Sequence, residues 1–150
     1  QKGNTLVLFQ YVEKHGKHLY DMIWAKAGDR KVFFVSGDTE TSDREEVRKI
    51  TESESDAIIV ASFGTFSTGI NIKNLHNIIF ASPSKSKIRN LQSIGRGLRI
   101  GDNKDRCKLF DIGDDMSWKV RKNYTFLHMV ERIKLYADED FDYTIAKVNI

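Results

Sequence analysis

The sequence predicts an α/β domain: a parallel sheet with helices on both faces, forming a three-layer αβα sandwich. Three observations predict it. Five short runs, TLVLF (5–9), KVFFV (31–35), AIIVA (57–61), NIIFA (77–81) and CKLFDI (107–112), are almost continuous in apolar or β-branched residues, as strands covered on both faces are. Stretches of helical periodicity separate them, giving the β-α-β-α rhythm of a doubly wound sheet with right-handed crossovers. The chain has 150 residues, the size of one domain and enough to bury a core.

The elements follow in order. After the first strand, GKHLYDMIWAKAG (16–28) reads as a helix that Gly28 is placed to stop. After the second, SDREEVRKITES (42–53) reads as a helix, and Ser42 with Glu45 three residues later has the spacing of a capping box. The third strand leads into SFGTFSTGINIKN, dense in hydroxyls and small residues and read as a loop. The fourth ends at Pro83, the only proline, which helps turn the chain towards a helix over 88–99. Ile88, Leu91, Ile94 and Leu98 form the core-facing stripe of that helix. Beyond the fifth strand, SWKVRKNYTFLHMVERIKLYA (117–137) reads as one long helix, and DEDFDYTIAKVNI shows partial period-two alternation at Phe141, Tyr143 and Ile145. The expected organisation is a domain over 1–116 and a helical extension over 117–150 that packs on it or on a neighbouring domain.

Composition excludes several classes. A single Cys107 rules out an intramolecular disulfide and a cysteine-rich zinc site. The four histidines, His15, His18, His76 and His128, show no metal-ligand spacing. No signal-like segment and no apolar run near the roughly 20 residues of a membrane span appear, so an intracellular, soluble protein is expected. Net charge is +3, and its distribution is uneven. Residues 85–122 carry 11 Lys and Arg against 5 Asp and Glu, while the segments on either side are slightly acidic. A patch of this kind suits a phosphate-bearing partner, nucleic acid or nucleotide; a solubilising surface is the plain alternative.

The centre of that basic segment reads QSIGRGLR (92–99). At about 100° per residue, Gln92, Arg96 and Arg99 gather beside the apolar stripe, with Gly95 at the seam. Each glycine costs a helix interior about 1 kcal/mol relative to alanine. A solvated basic face would also carry these side chains, but it has no need to give up helix propensity twice; a helix that meets a ligand or a facing domain does. In open α/β sheets, ligands collect beyond the carboxyl ends of the strands. The loops there are SGDTETSDRE, SFGTFSTGINIKN and SPSKSK. Ser62, Thr65, Ser67 and Thr68, with the amides near Gly64 and Gly69, have the chemistry to bond phosphate oxygens, although turns are commonly rich in such residues. Neither a Walker A sequence nor a GxGxxG after a strand occurs, so the chain carries no phosphate cradle of its own.

In order and spacing, these segments resemble the C-terminal RecA-like domain of superfamily two helicases. TLVLF with HGKHLYD is similar to motif four, FFVSGDTETSDREEVRKI to the strand, SG turn and helix that follow, AIIVASFGTFSTGINI to motif five, and QSIGRGLR to motif six. The resemblance covers about residues 4–112. Two departures stand out. Motif five usually ends Gly-x-Asp, whereas this chain has Gly69-Ile70-Asn71, an acceptor without charge. The loop from Ser62 to Gly69 is one residue longer than in many RNA helicases, which points to a DNA-type member.

The resemblance implies a RecA-like, P-loop-NTPase-type sheet working as the second motor domain of an ATP-dependent DNA helicase or branch-migration translocase, in recombination, repair and replication-fork rescue. It implies that Arg96 and Arg99 reach the γ-phosphate of ATP, one or both as arginine finger, with Gln92 beside them. Gly95 and Gly97 would allow close approach of a preceding N-terminal RecA-like domain, which supplies the P-loop and Mg2+. Gly69 and Asn71 would lie near the nucleotide, and Ser36, Gly37, Ser62, Thr65 and Thr68 would contact the backbone of branched or forked DNA. The fragment alone would hydrolyse no ATP. The alternatives are an RNA helicase or chromatin-remodeller-type motor domain, and a non-enzymatic nucleic-acid-binding α/β domain.

Overall fold

A computed structural model describes residues 2–69, 72–82, 107–115 and 123–148. The run Thr5–Phe9 forms β1, buried at every residue. It lies at the centre of the sheet, between β3 (Ile58–Ser62) and β4 (Asn77–Phe80), while β2 (Val32–Val35) and β5 (Lys108–Asp111) form the edges. The order is β2-β3-β1-β4-β5, with every pairing parallel. All five strands fall where the apolar runs predict them. β1 and β3 read as unbroken apolar runs because both of their faces are covered.

The strand order decides the layers. From β1 the chain steps across β3 to β2, then travels back through β3 and β4 to β5. Right-handed crossovers made in opposite directions fall on opposite faces. Helix α1 (Lys17–Trp24) therefore covers one face, where Leu19, Tyr20 and Ile23 meet Val7, Phe9, Ile58 and Val60. Helices α2 (Thr41–Ser53) and α3 (Phe63–Gly69) cover the other, where Val47, Phe63 and Phe66 join Leu6, Leu8, Ile59 and Ile78. The C-terminal helix α4 (Tyr124–Asp138) adds Leu135 and Tyr136 to that second face. The result is the expected three-layer αβα sandwich. Under α1, Phe9 stacks on Phe34 at 5.5 Å and Tyr20 meets Phe34 edge-on at 5.5 Å, each pair worth about 0.5–1.5 kcal/mol beyond area burial.

Several local expectations are corrected. The first helix is entered through a π-helical turn, Val12–Gly16, and ends at Trp24. Gly28, with φ +63°, serves the turn that follows rather than capping the helix. Helix α2 starts at Thr41, so Ser42 sits inside its first turn and bonds Asp43 instead of closing a capping box. The run after β3 is helix α3 rather than a loop. The described part of the long C-terminal helix begins at Tyr124 behind an Asn123 cap, whose side chain accepts the Phe126 N–H at 3.2 Å. The alternating tail forms no strand among the described residues; Phe141 rests on Tyr136, with ring centroids 6.5 Å apart. Pro83 and the stripe of Ile88, Leu91, Ile94 and Leu98 lie outside the described residues. Among those described, no helix is long and apolar enough to cross a membrane, and no group of three or more His, Cys, Asp or Glu is placed to hold a metal ion.

Candidate functional site

Because every strand is parallel, their carboxyl ends share one edge. Val35, Ala61, Leu8, Phe80 and Asp111 stand level across the five strands. The residues that follow them form the candidate site.

On the β2 side, the chain turns through Ser36 and Gly37. The buried Ser36 donates its N–H to Thr39 Oγ1 at 2.9 Å, and Thr39 N–H returns to the Ser36 carbonyl at 3.2 Å. Arg44, one turn into α2, clamps the same loop, donating from Nε to the Thr39 carbonyl at 2.8 Å and from Nη2 to the Gly37 carbonyl at 2.9 Å. Gly37 itself is exposed, and a Cβ there would meet nothing. A ligand backbone therefore has close access to this turn.

Next to it, Ser62 ends β3 and starts α3. Its Oγ accepts the Thr65 N–H at 3.3 Å, the position that an N-cap serves, and lies 2.7 Å from Thr65 Oγ1. Both residues are buried. These two predicted site residues are thus brought together and already hold one another, while exposed Gly64 lies between them on the surface. Thr68 and Gly69 fall in the last turn of α3. Asn71, Gln92, Arg96 and Arg99 lie outside the described residues.

Two features of this edge were not among the expected site residues. His15, in the π-helical turn, places Nδ1 2.9 Å from Ser82 Oγ, which also accepts the Gln10 N–H at 3.3 Å. This bridge joins the exits of β1 and β4 and leaves Tyr11 61% exposed beside it. The sequence marks the SPSKSK exit and sets His15 at the start of the HGKHLYD segment, but assigns it no site role. The second feature is at β5. Arg132 of α4 donates from Nε and Nη2 to the two Asp111 carboxylate oxygens at 2.6 and 2.8 Å, and the Tyr136 hydroxyl donates to Oδ2 at 2.7 Å. Burial, the Asp111 charge and this hydrogen bond together push the Tyr136 phenol well above its ordinary pKa. An acid ending an apolar run was the available signal, but its partner lies 21 residues away on another element.

With this geometry in place, the likeness to known proteins is specific. The model of the helicase conserved C-terminal domain matches residues 1–101. The chain is 40% identical over 157 residues to the ATP-dependent DNA helicase UvsW of Enterobacteria phage T4, an alignment covering 98% of this chain and 31% of that protein. It is 32% identical over 109 residues to the putative ATP-dependent helicase IRC3 of Saccharomyces cerevisiae, covering 72% of this chain and 15% of that one. The chain thus spans less than a third of the length of either relative. The crystal structure of T4 UvsW superposes with a TM-score of 0.76 over 98% of this chain and 31% of its own. The C-terminal part of the Fun30 ATPase domain shares the fold, with a TM-score of 0.60 and 16% identity over 91% of this chain and 48% of its own. The sheet is that of a RecA-like domain, and the chain belongs to the helicase conserved C-terminal domain family.

Proposed function

We propose that this chain is the second motor domain of an ATP-dependent DNA helicase or branch-migration translocase acting on branched or forked DNA in recombination, repair and fork rescue. One observation carries the reading: the Gln92, Gly95-Arg96, Arg99 spacing stands in a chain 40% identical, along nearly its whole length, to a phage DNA helicase. A preceding RecA-like domain supplies the P-loop and Mg2+, since this sequence has no Walker A motif. Arg96 and Arg99 bring positive forks to the γ-phosphate from across the cleft, stabilising the charge on the transferring phosphoryl group. Gln92, Gly69 and Asn71 line the nucleotide's side of that cleft.

Ser36, Gly37, Ser62, Thr65 and Thr68 are assigned to the nucleic-acid backbone. The open Gly37 turn and the adjoining start of α3 support this. Binding ATP closes the two domains and hydrolysis reopens them, so that different backbone contacts in the two states make each cycle a step. Residues 1–116 form the motor domain, and 117–150 an extension docked on it through Arg132 and Asp111.

The test is DNA-stimulated ATP turnover by the protein carrying both RecA-like domains, with Arg96→Ala, Arg99→Ala and Arg99→Lys as variants. Each alanine variant is expected to lose turnover on the scale of an arginine finger, about 10³–10⁵. Lysine is expected to restore little, because it lacks the planar fork. Near-wild-type turnover in both alanine variants leaves a phosphate-binding domain without catalysis.

A further inference from the structure

Tyr11 is 61% exposed, and among the described residues its ring meets no other aromatic ring. A single exposed aromatic is ordinary on a protein surface; the mount and the place distinguish this one. The chain is fixed on both sides of it. Before it, the Gln10 N–H donates to Ser82 Oγ. After it, the Tyr11 carbonyl accepts the N–H groups of His15 and Gly16, at 3.2 and 2.8 Å, closing the π-helical turn. His15 is tied to Ser82, and Gly16 lies so close to the buried Phe9 ring that a Cβ would collide with it. Single π-helical turns are rare and are frequent at functional sites. The backbone is thus held at several points, while the ring that it carries is left to solvent.

Tyr11 stands two residues beyond Phe9, which ends β1 level with Ser62 of β3. Neighbouring strands lie about 4.8 Å apart. The tyrosine therefore leaves the sheet beside the Ser62–Thr65 start of α3, and the open Gly37 turn lies one strand beyond. Those groups are hydroxyls, amides and an open turn, the chemistry of phosphate and sugar contacts. None of them covers the flat apolar face of an unpaired base. An aromatic ring beside them does, and it accepts any of the four bases, since every base has a π-face. Trp24, comparably exposed at 65%, stands elsewhere: it ends α1, which returns the chain to the amino edge, where Arg30 bonds the Gly3 carbonyl.

We infer that Tyr11 is a stacking platform for an unpaired nucleobase, set beside the backbone contacts on a turn held in place by Ser82 and Phe9. The inference rests on the proposed function, in which this edge binds DNA. Its test is made in the protein with both RecA-like domains, comparing wild type with Tyr11→Ala, Tyr11→Leu and Tyr11→Phe. Affinity without nucleotide is measured for three probes: single-stranded oligothymidylate, an abasic strand of the same length, and a blunt duplex. Melting confirms that each variant is folded, as expected for an exposed position. Tyr11→Ala and Tyr11→Leu are expected to bind oligothymidylate roughly 5- to 150-fold more weakly, the span of one base–aromatic stack. Tyr11→Phe keeps the ring and is expected to bind like wild type. The abasic strand and the duplex offer no free base and are expected to bind all four proteins alike. Wild-type affinity of Tyr11→Ala or Tyr11→Leu for oligothymidylate overturns the stacking role. An equal loss on the abasic strand overturns it too, by assigning Tyr11 to the backbone. A wild-type protein that binds none of the three probes overturns the DNA-motor reading, and this inference with it.

Discussion

Asn4 and Ala57 are joined across the amino edge of the sheet, the side-chain Oδ1 of one accepting the N–H of the other at 2.8 Å. The same fully buried side chain turns its two Nδ2 protons towards three carbonyls, those of Thr51, Glu54 and Asn74, at 2.8, 2.7 and 2.9 Å from the nitrogen, so that one proton is shared. One amide thus ties the end of α2 to the loops entering β3 and β4. Asn4→Ala strands these groups out of reach of water and is expected to cost about 3 kcal/mol. Asn4→Asp, which accepts but donates nothing to three carbonyls, is expected to be no better. Chemical denaturation of the folded chain decides; a loss below about 0.5 kcal/mol removes the knot from the stability of the domain.

Gly16 and Gly113 both face side chains that a Cβ would strike, yet they are expected to respond differently. At Gly16 the obstacle is the ring of Phe9, fully buried and stacked on Phe34. At Gly113 it is chiefly the Sδ of Met129, the far end of a flexible side chain. Gly16→Ala is expected to destabilise by about 1–3 kcal/mol through overpacking, and Gly113→Ala by clearly less. Equal melting temperatures for the two variants contradict the pinned-ring argument.

Tyr136 makes stability depend on alkaline pH. Its phenol is raised in the folded chain by burial first, then by the charge of Asp111 and their hydrogen bond, whereas the unfolded chain ionises near the ordinary value of 10.0. Above that pH the unfolded state loses a proton that the folded state keeps, so stability is complete below about pH 10 and falls as pH rises further. Tyr136→Phe is expected to flatten this decline while losing one hydrogen bond at neutral pH. Urea midpoints measured from neutral to strongly alkaline pH check it; an unchanged slope in the variant assigns the decline elsewhere.

On the proposed function, affinity for DNA is expected to be weak, tolerant of sequence and steeply dependent on salt, because a basic excess such as that at 85–122 suits phosphates rather than bases. Titrations across salt concentrations and across unrelated sequences test this. Affinity indifferent to salt, or a strong preference for one base sequence, contradicts backbone recognition.

The strands were legible because burial on both faces writes itself as an unbroken apolar run, and no other local pattern competes over 5–9 or 58–62. Helix α3 was not legible. FGTFSTG offers only the i, i+3 pair of Phe63 and Phe66 as a helical signal, and its two glycines and its hydroxyls suit a turn equally well; the Ser62 hydroxyl that starts the helix reads as a ligand group until its bond to the Thr65 N–H is seen. The Gln92-to-Arg99 pattern could be read as a motif because its chemistry depends on fixed offsets along one segment. Arg132 could not, since a buried arginine and a surface arginine look alike until Asp111 is brought beside it. Spacing within an element reaches the reader through sequence; pairing between elements does not.

The position of β1 has a consequence for how the chain is made. It is synthesised before the other strands, yet it is central in the sheet, and its two partners are the third and fourth strands rather than the second. A nascent chain that has left the ribosome only as far as α2 therefore carries TLVLF and VFFV with no native strand partner for either, since among the described residues β2 also pairs only with β3. Both are short, uncharged and rich in β-formers, the kind of segment that pairs with other chains when left open. Emergence of Ile58–Ser62 completes both pairings at once, so folding during synthesis waits on that one strand and then proceeds outward from it.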